Sequence, residues 1–128
     1  MPITYEIDAE PGIIFERWSG EILPSDMGEH WVKLSMDTQR SGIYRNLVDV
    51  SDATPLFTGA EFWKQVDDNY REKMDQHHRM VAVLVNDEVH EKVARMWVAI
   101  SAKTVTTRIF YSRDQAMEWL KAGSVRQP

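Results

Sequence analysis

Two runs of alternating hydrophobic and polar residues predict the first two strands. Ile3, Tyr5 and Ile7 alternate with polar neighbours, the period of two expected of a strand with one buried face. Residues 13–19 form a second run rich in β-branched and aromatic side chains. Because the turn-forming segment EPG at 10–12 makes the connection short, the two runs are predicted to form an antiparallel hairpin.

Three later runs predict further strands. Residues 43–50, IYRNLVDV, end in apolar and β-branched residues. Residues 80–85, MVAVLV, form an unbroken apolar run, which is typical of a central strand covered on both faces. Residues 105–110 predict a fifth strand.

A polar segment follows the third strand. It begins at Ser51 and includes Pro55, which cannot donate to a β-ladder, so a loop is predicted over residues 51–57. Thr58 then stands three residues before Glu61, the T-x-x-E pattern of a capping box at a helix start. A strand end that faces a helix N-terminus is where open α/β sheets tend to bind ligands.

Capping patterns and periodicity predict two helices in the first half of the chain. Asp26 and Glu29 resemble a capping box for a helix that extends to about Gln39, and a second helix starts at Thr58. The predicted buried stripes are Met27, Trp31 and Leu34 in the first helix, and Phe62, Val66, Tyr70 and Met74 in the second.

Two further helices are predicted in the second half. Asn86 and Asp87 cap a helix with the strongest helical periodicity in the chain. Ser112 and Gln115 form an S-x-x-Q cap for the last helix, which Gly123 ends. The buried stripe of the third helix is predicted to be Val89, Val93, Met96, Trp97 and Ile100.

The predicted order of elements is β-β-α-β-α-β-α-β-α. Strands that alternate with helices after a hairpin predict an α/β fold with a mostly parallel five-stranded sheet and right-handed crossovers. The 128 residues, of which 43% are hydrophobic, predict one ordinary domain over 1–128.

Charge and composition exclude several classes of function. The net charge is −5 and the basic residues are scattered, so no nucleic-acid partner is predicted. The absence of cysteine excludes disulfides and thiol chemistry and favours a reducing cytoplasm. No signal peptide or bilayer-length apolar run is present, so we predict a soluble protein without stable membrane insertion. Seven Met and five Trp indicate core filling or an adaptable apolar surface.

Several segments resemble a known family. The segment NLVDV followed by a loop and a helix, MVAVLVND followed by a helix, and the closing RIFYSRDQAMEWL resemble the SpoIIAA-like family over about residues 13–120. The signature residues are Phe110, Ala116, Trp119 and Leu120. This family comprises the STAS anti-sigma-factor antagonists and relatives of the CRAL-TRIO, or SEC14, lipid carriers. The resemblance implies a regulatory or carrier function rather than catalysis.

The resemblance also implies a phosphorylation site. In the antagonists a D-S-S-G sequence begins the helix after the strand that corresponds here to NLVDV, and its phosphorylated serine falls on Thr58, next to Gly59. A phosphate there would lie at a helix N-terminus, which stabilises negative charge. Only one hydroxyl residue precedes the glycine here, and plain helix capping also explains Thr58.

These observations predict a non-enzymatic module that binds a protein partner or a small apolar, lipid-like molecule, and a homodimer if the surface self-associates. Phe57 and Trp63 would be apolar anchors, and Thr58 would hold a polar head. Pro55 and Gly59 bracket the loop and would let the helix hinge away from the sheet to open a pocket. The candidate binding residues are Ser51, Asp52, Phe57, Thr58, Phe62, Trp63, Asn86 and Asp87.

Catalytic and metal-binding alternatives have less support. Asp49, Asp52 and Asp87 would resemble a magnesium pocket if they gathered at the strand ends, but loop and helix capping explain Asp52 and Asp87. A spatially assembled enzyme site would draw on His30, His90 and Asp49. No catalytic motif, cofactor motif or complete metal-ligand pattern is present, so no catalytic residue, cofactor or metal is predicted.

Overall fold

The computed structural model describes residues 2–71, 78–101 and 105–122. The strands are β1 (Ile3–Asp8), β2 (Ile13–Ile22), β3 (Arg45–Pro55), β4 (Arg79–Leu84) and β5 (Val105–Phe110). The helices are α1 (Pro24–Ser41), α2 (Gly59–Gln65), α3 (Glu88–Ser101) and α4 (Arg113–Ala122), and a π-helical segment (Val66–Arg71) follows α2. The predicted order of elements is confirmed.

The strands form one five-stranded sheet in the order β1-β2-β3-β4-β5. β1 and β2 are antiparallel, as the short connection between them predicts, and β2, β3, β4 and β5 are parallel neighbours. All six residues of β4 are buried, which confirms that this apolar run is covered on both faces. The predicted α/β class is therefore confirmed.

The end of β3 departs from the predicted loop over residues 51–57. Residues 51–55 continue the strand, and Asp52 to Pro55 pair with β2 from Ser19 to Ile22, beyond a register shift at which β3 has one extra residue. On the other side of β3 the pairing with β4 ends at Asp49, so the extension has one unpaired edge. Pro55 is tolerated there, since its missing N–H interrupts no ladder on that edge.

The first helix begins differently from its prediction. Pro24 occupies the first helical position, which its fixed φ suits, and Leu23 is the N-cap. Asp26 is the third helical residue, and its carboxylate accepts the Leu23 N–H at 2.8 Å. Asp26 therefore caps the helix from its third helical position, and the predicted capping box of Asp26 with Glu29 is wrong.

The start of α2 confirms the predicted capping box. The Glu61 N–H donates to the Thr58 hydroxyl at 3.1 Å, and the Thr58 N–H donates to the Glu61 carboxylate at 2.8 Å. Phe62, Val66 and Tyr70 are buried as predicted, and Met74 lies outside the described residues. Residues spaced by four drift away from one face of an α-helix, which has about 3.6 residues per turn. The wider turns of the π-helical segment keep such residues on the same face.

Two layers of helices cover the sheet. α1, α2 and α3 pack on one face through residues such as Trp31, Phe62 and Ala94, and α4 packs on the other through Ala116 and Leu120. We call these the three-helix face and the one-helix face. No helix among the described residues is long and apolar enough to cross a membrane.

The last two helices largely follow their predictions. The side chain of Asp87 accepts the His90 N–H at 2.9 Å at the start of α3, and the Ser112 hydroxyl accepts the Gln115 N–H at 3.3 Å at the start of α4. Val89 is 65% exposed in the first turn of α3, so its place in the buried stripe is wrong. The remaining stripe residues of α3 are partly buried, and Gly123 lies outside the described residues.

Candidate binding cavity

Three polar side chains lie at inward positions of the three-helix face. Side chains alternate between the faces of a strand, so the position that follows Ile14 on this face of β2 is Glu16. Asn46 of β3 pairs with Ile14, and Arg79 of β4 is two residues before Val81, the partner of Asn46. All three polar residues are buried. Their side chains are therefore removed from water and need hydrogen-bond partners within the protein.

The Glu16 carboxylate is held by three neighbours. The His30 Nε2 atom of α1 lies 2.7 Å from one carboxylate oxygen, the Asn46 amide donates to the other at 2.6 Å, and the Trp18 indole N–H lies 3.4 Å away. Burial alone would raise the pKa of the Glu16 carboxyl, but the His30 imidazole and these hydrogen bonds hold that pKa below its ordinary value. Because an ionised carboxylate only accepts, His30 Nε2 must carry the hydrogen.

The Arg79 guanidinium completes this buried polar cluster. Its Nη1 atom donates to the Asn46 carbonyl oxygen, and its Nη2 atom donates to the Thr38 hydroxyl at 3.2 Å. The Tyr44 ring lies 5.6 Å from the guanidinium carbon. Within the described part of the chain, Nε has no hydrogen-bond partner and no carboxylate forms an ion pair with Arg79. The buried cation therefore has neutral partners and one unused donor.

A cavity of about 70 Å³ lies between the three-helix face and its helices. Most of its lining is apolar, including Val48, Val81, Val83 and Val93. The aromatic lining residues are Trp18, Trp31, Phe57, Phe62, Tyr70 and Trp97. The polar lining residues are Glu16, Asn46, Arg79 and His90. The cavity thus combines an apolar wall with a few buried polar groups, as small-molecule sites commonly do.

Aromatic contacts hold the three helices together around the cavity. Trp31 of α1 lies 6.3 Å from Phe62 and 5.7 Å from Tyr70, measured between ring centroids, and it stacks on Trp97 of α3 at 5.9 Å. Phe57 stacks on Phe62 at 5.4 Å. Edge-to-face and offset arrangements of this kind stabilise aromatic clusters beyond simple burial. One ring from each helix therefore meets at the cavity wall.

His90 joins the start of α3 to the extension of β3. Its Nδ1 atom lies 2.6 Å from an Asp87 carboxylate oxygen, and its Nε2 atom lies 2.6 Å from the Ala53 carbonyl oxygen. Both partners only accept, so both nitrogens carry hydrogens when both bonds form. Burial lowers the pKa of His90, but the bonds to Ala53 and Asp87 outweigh it, and the net pKa is raised.

The structure separates the predicted site residues. Phe57 and Phe62 line the cavity. Asp87 does not line the cavity, but its carboxylate contacts the His90 ring, which does. The remaining candidates lie outside the lining: Ser51 is half-buried, and Asp52, Thr58, Trp63 and Asn86 are exposed.

The three aspartates considered for magnesium have separate roles. Asp49 accepts the Ser51 N–H at 3.0 Å, Asp52 pairs with Arg17 at 2.8 Å, and Asp87 caps α3. No group of three potential metal ligands occurs in the ranges that the structure describes.

Sequence reasoning missed Glu16, Asn46 and Arg79 as site residues, and it named His30 solely as a candidate for an enzyme. A signal was present, because period-two alternation in three strands places these polar residues in line with buried apolar ones. The cluster also lies near the amino ends of β3 and β4, away from the carboxyl ends where ligands of open sheets are expected.

Comparisons with known proteins fit this fold. A family model described as a domain of unknown function, DUF7793, matches residues 7–123, so the chain belongs to that family. A protein of the DUF3478 family from Shewanella loihica PV-4, described as having a SpoIIAA-like fold, is 18% identical with a TM-score of 0.64, and the match covers 92% of this chain and 93% of that one.

A second solved structure has the same fold. It is an anti-sigma factor antagonist from Mycobacterium paratuberculosis, 15% identical with a TM-score of 0.58, and the match covers 93% of this chain and 94% of that one. The predicted SpoIIAA-like fold is therefore confirmed. No curated protein matches the chain.

Proposed function

We propose that this DUF7793 protein is a non-catalytic module that binds a small apolar molecule in the cavity of the three-helix face. The observation that carries the proposal is the cavity itself, which is walled by aromatic and aliphatic side chains and bounded by buried polar groups. Such a combination supplies apolar contact area for a ligand body and a few polar groups that orient it.

The volume of the cavity limits what it can hold. An apolar cavity of about 150 Å³ binds benzene, and this one measures about 70 Å³. A ligand of a few heavy atoms fits the described conformation. A longer, lipid-like ligand requires α2 to move away from the sheet, and the hinge between Pro55 and Gly59 would permit that movement.

The state of Glu16 supports binding over catalysis. A general base needs a pKa near the working pH and an oxygen within reach of the substrate. The pKa of Glu16 is lowered, and His30 and Asn46 each take one carboxylate oxygen. We infer that Glu16 organises the polar cluster and does not transfer protons.

Native mass spectrometry of gently purified protein tests this function, with Ala94→Leu as the key variant. Ala94 of α3 is buried and lines the cavity, so the larger side chain fills it. We expect an adduct on the wild type that the variant lacks. Ala99→Leu, an exposed site on the same helix, is the control and keeps the adduct. An adduct retained by Ala94→Leu would place the ligand elsewhere.

A protein partner is the second candidate. Leu23, Leu56 and Val89 are 48%, 43% and 65% exposed. Leu56 and Leu23 are neighbours, because the Leu56 N–H donates to the Ile22 carbonyl. The anti-sigma factor antagonist that shares the fold is named for acting on a protein. Native mass spectrometry at rising concentration tests self-association: Leu56→Ser is expected to abolish a homodimer, and a persistent dimer would exclude this surface.

Phosphorylation of Thr58 stays a prediction. The Thr58 hydroxyl accepts the Glu61 N–H, so a phosphate would face the Glu61 carboxylate and break the capping box. The modification would therefore loosen the start of α2. Mass spectrometry of protein from its native cells tests it, and a Thr58 without phosphate under every growth condition would remove the switch. A cytoplasmic location likewise remains a proposal.

A further inference from the structure

We propose that Arg79 is the recognition point for a carboxylate, and that the ligand of the cavity is a small carboxylic acid whose apolar part lies against Trp31, Phe62 and Trp97. The inference rests on the proposed function, since it names the ligand class of the same cavity. Arg79 lies 22 positions after the predicted loop over 51–57. It stands at the amino end of β4, whereas that loop is predicted at the carboxyl end of β3.

The environment of Arg79 favours an anionic ligand. The residue is 2% exposed, and its terminal nitrogens donate to two neutral oxygens, on Asn46 and Thr38. Its Nε hydrogen has no acceptor among the residues that the structure describes, although Arg79 lines the cavity. Buried charges in proteins are normally paired with an opposite charge. An anion in the cavity would supply the missing acceptor and a charge in direct contact, since the ionised Glu16 reaches Arg79 only through the Asn46 amide.

The shape and charge of the cavity favour a carboxylate over other anions. A carboxylate is planar and matches the donor geometry of a guanidinium edge. A phosphate carries more charge and needs more donors, and the Asn46 amide is already used by Glu16. The ionised Glu16 also lines the cavity, so a second negative charge on the ligand would be repelled more strongly.

Acetate and its neutral isostere acetamide, with four heavy atoms each, test the inference. Both are titrated into the wild-type protein, and binding is followed by the fluorescence of Trp18, Trp31 and Trp97, which line the cavity. We expect acetate to bind on the order of tenfold more tightly, the range for a hydrogen bond to a charged group. If the wild type bound the carboxylate and the amide with equal affinity, Arg79 would not be the recognition point for a carboxylate.

Arg79→Lys sharpens the test because it keeps the charge and removes the Nε donor. We expect this variant to lose most of the preference for acetate over acetamide. Arg45→Lys is the control, since Arg45 donates to the Leu120 carbonyl at 2.8 Å and does not line the cavity. An unchanged preference in Arg79→Lys would refute the inference and leave the cavity function intact. If neither probe nor any native adduct binds, the proposed function itself fails.

Discussion

The two faces of the sheet solve the same packing problem differently. The one-helix face is closed by α4 and packs buried apolar residues around Leu47, Ala82, Ala116 and Leu120. The three-helix face carries the cavity and the buried polar cluster. A single helix lies closely along a twisted sheet, whereas several helices that converge on one face leave space between them. In this protein that space is where function is expected.

Packing alone does not explain the buried polar cluster of the three-helix face. Buried charged groups cost desolvation even when they are hydrogen-bonded, and apolar residues of similar volume are often no less stabilising. The cluster around Glu16 and Arg79 is thus better explained by binding or specificity than by stability. Substitutions in the polar cluster, in the cavity and on the surface should therefore differ in their effects.

The largest effect is expected for Glu16→Leu on the three-helix face. The change leaves His30 and Asn46 buried without their acceptor, so the free energy of unfolding should fall by about 3 kcal/mol. Urea denaturation measures it. Glu6→Leu is the control, because Glu6 is exposed on β1, and it should change stability by less than about 0.5 kcal/mol. Similar losses in the free energy of unfolding for both variants would show that the hydrogen bonds of Glu16 do not contribute to stability.

The same residue predicts the acid limb of stability. The folded-state pKa of Glu16 is lowered, so its contribution is present above the ordinary pKa of 4.5 and is lost as the pH falls through the folded-state value. Glu16→Gln removes the titrating group. The wild type should therefore lose more stability than this variant on acidification, and parallel curves would contradict the prediction.

Alanine-to-leucine substitutions compare the packing of the two faces directly. Ala116→Leu overpacks the one-helix face and should destabilise by about 2 kcal/mol. Ala94→Leu enters the cavity and should cost close to nothing, since the added carbons have space. Thermal and urea unfolding of both variants measure the difference. Equal destabilisation would show that the cavity cannot accept side-chain atoms.

A smaller, pH-dependent effect is expected at His90. Its raised pKa means that its contribution is fully present below the ordinary value of 6.5 and is lost as the pH rises through the folded-state pKa. The stability difference between wild type and His90→Leu should be about 1 kcal/mol at low pH and shrink at high pH. His78→Leu is the control, because His78 contacts the Thr106 hydroxyl, which can either donate or accept a hydrogen bond. A difference independent of pH would exclude the charged bridge.

The smallest effect is expected for the exposed pair of Arg17 and Asp52. Their side chains are 65% and 58% exposed, so Asp52→Asn should change the free energy of unfolding by less than about 0.5 kcal/mol. Measurement at low and high salt checks this. A loss as large as that of Glu16→Leu would contradict the contrast between the exposed and the buried pair.

Features that depend on neighbouring residues were predictable from the sequence. The caps at Thr58, Asp87 and Ser112 each join residues three positions apart, and the strand and helix periods repeat within a few residues. Such patterns predicted the order of elements and the mostly parallel sheet. They also predicted Phe57 and Phe62 as candidates, and both line the cavity.

Tertiary structure decided what depends on distant residues. The extension of β3 to Pro55 needs β2 as its partner, and the polar cluster joins Glu16, Asn46 and Arg79 across separations of 30 and 33 residues. Local composition cannot show whether a polar residue in a strand meets solvent or a buried partner. That choice is made when the helices close over the sheet, because packing then fixes which charges are paired and where space remains.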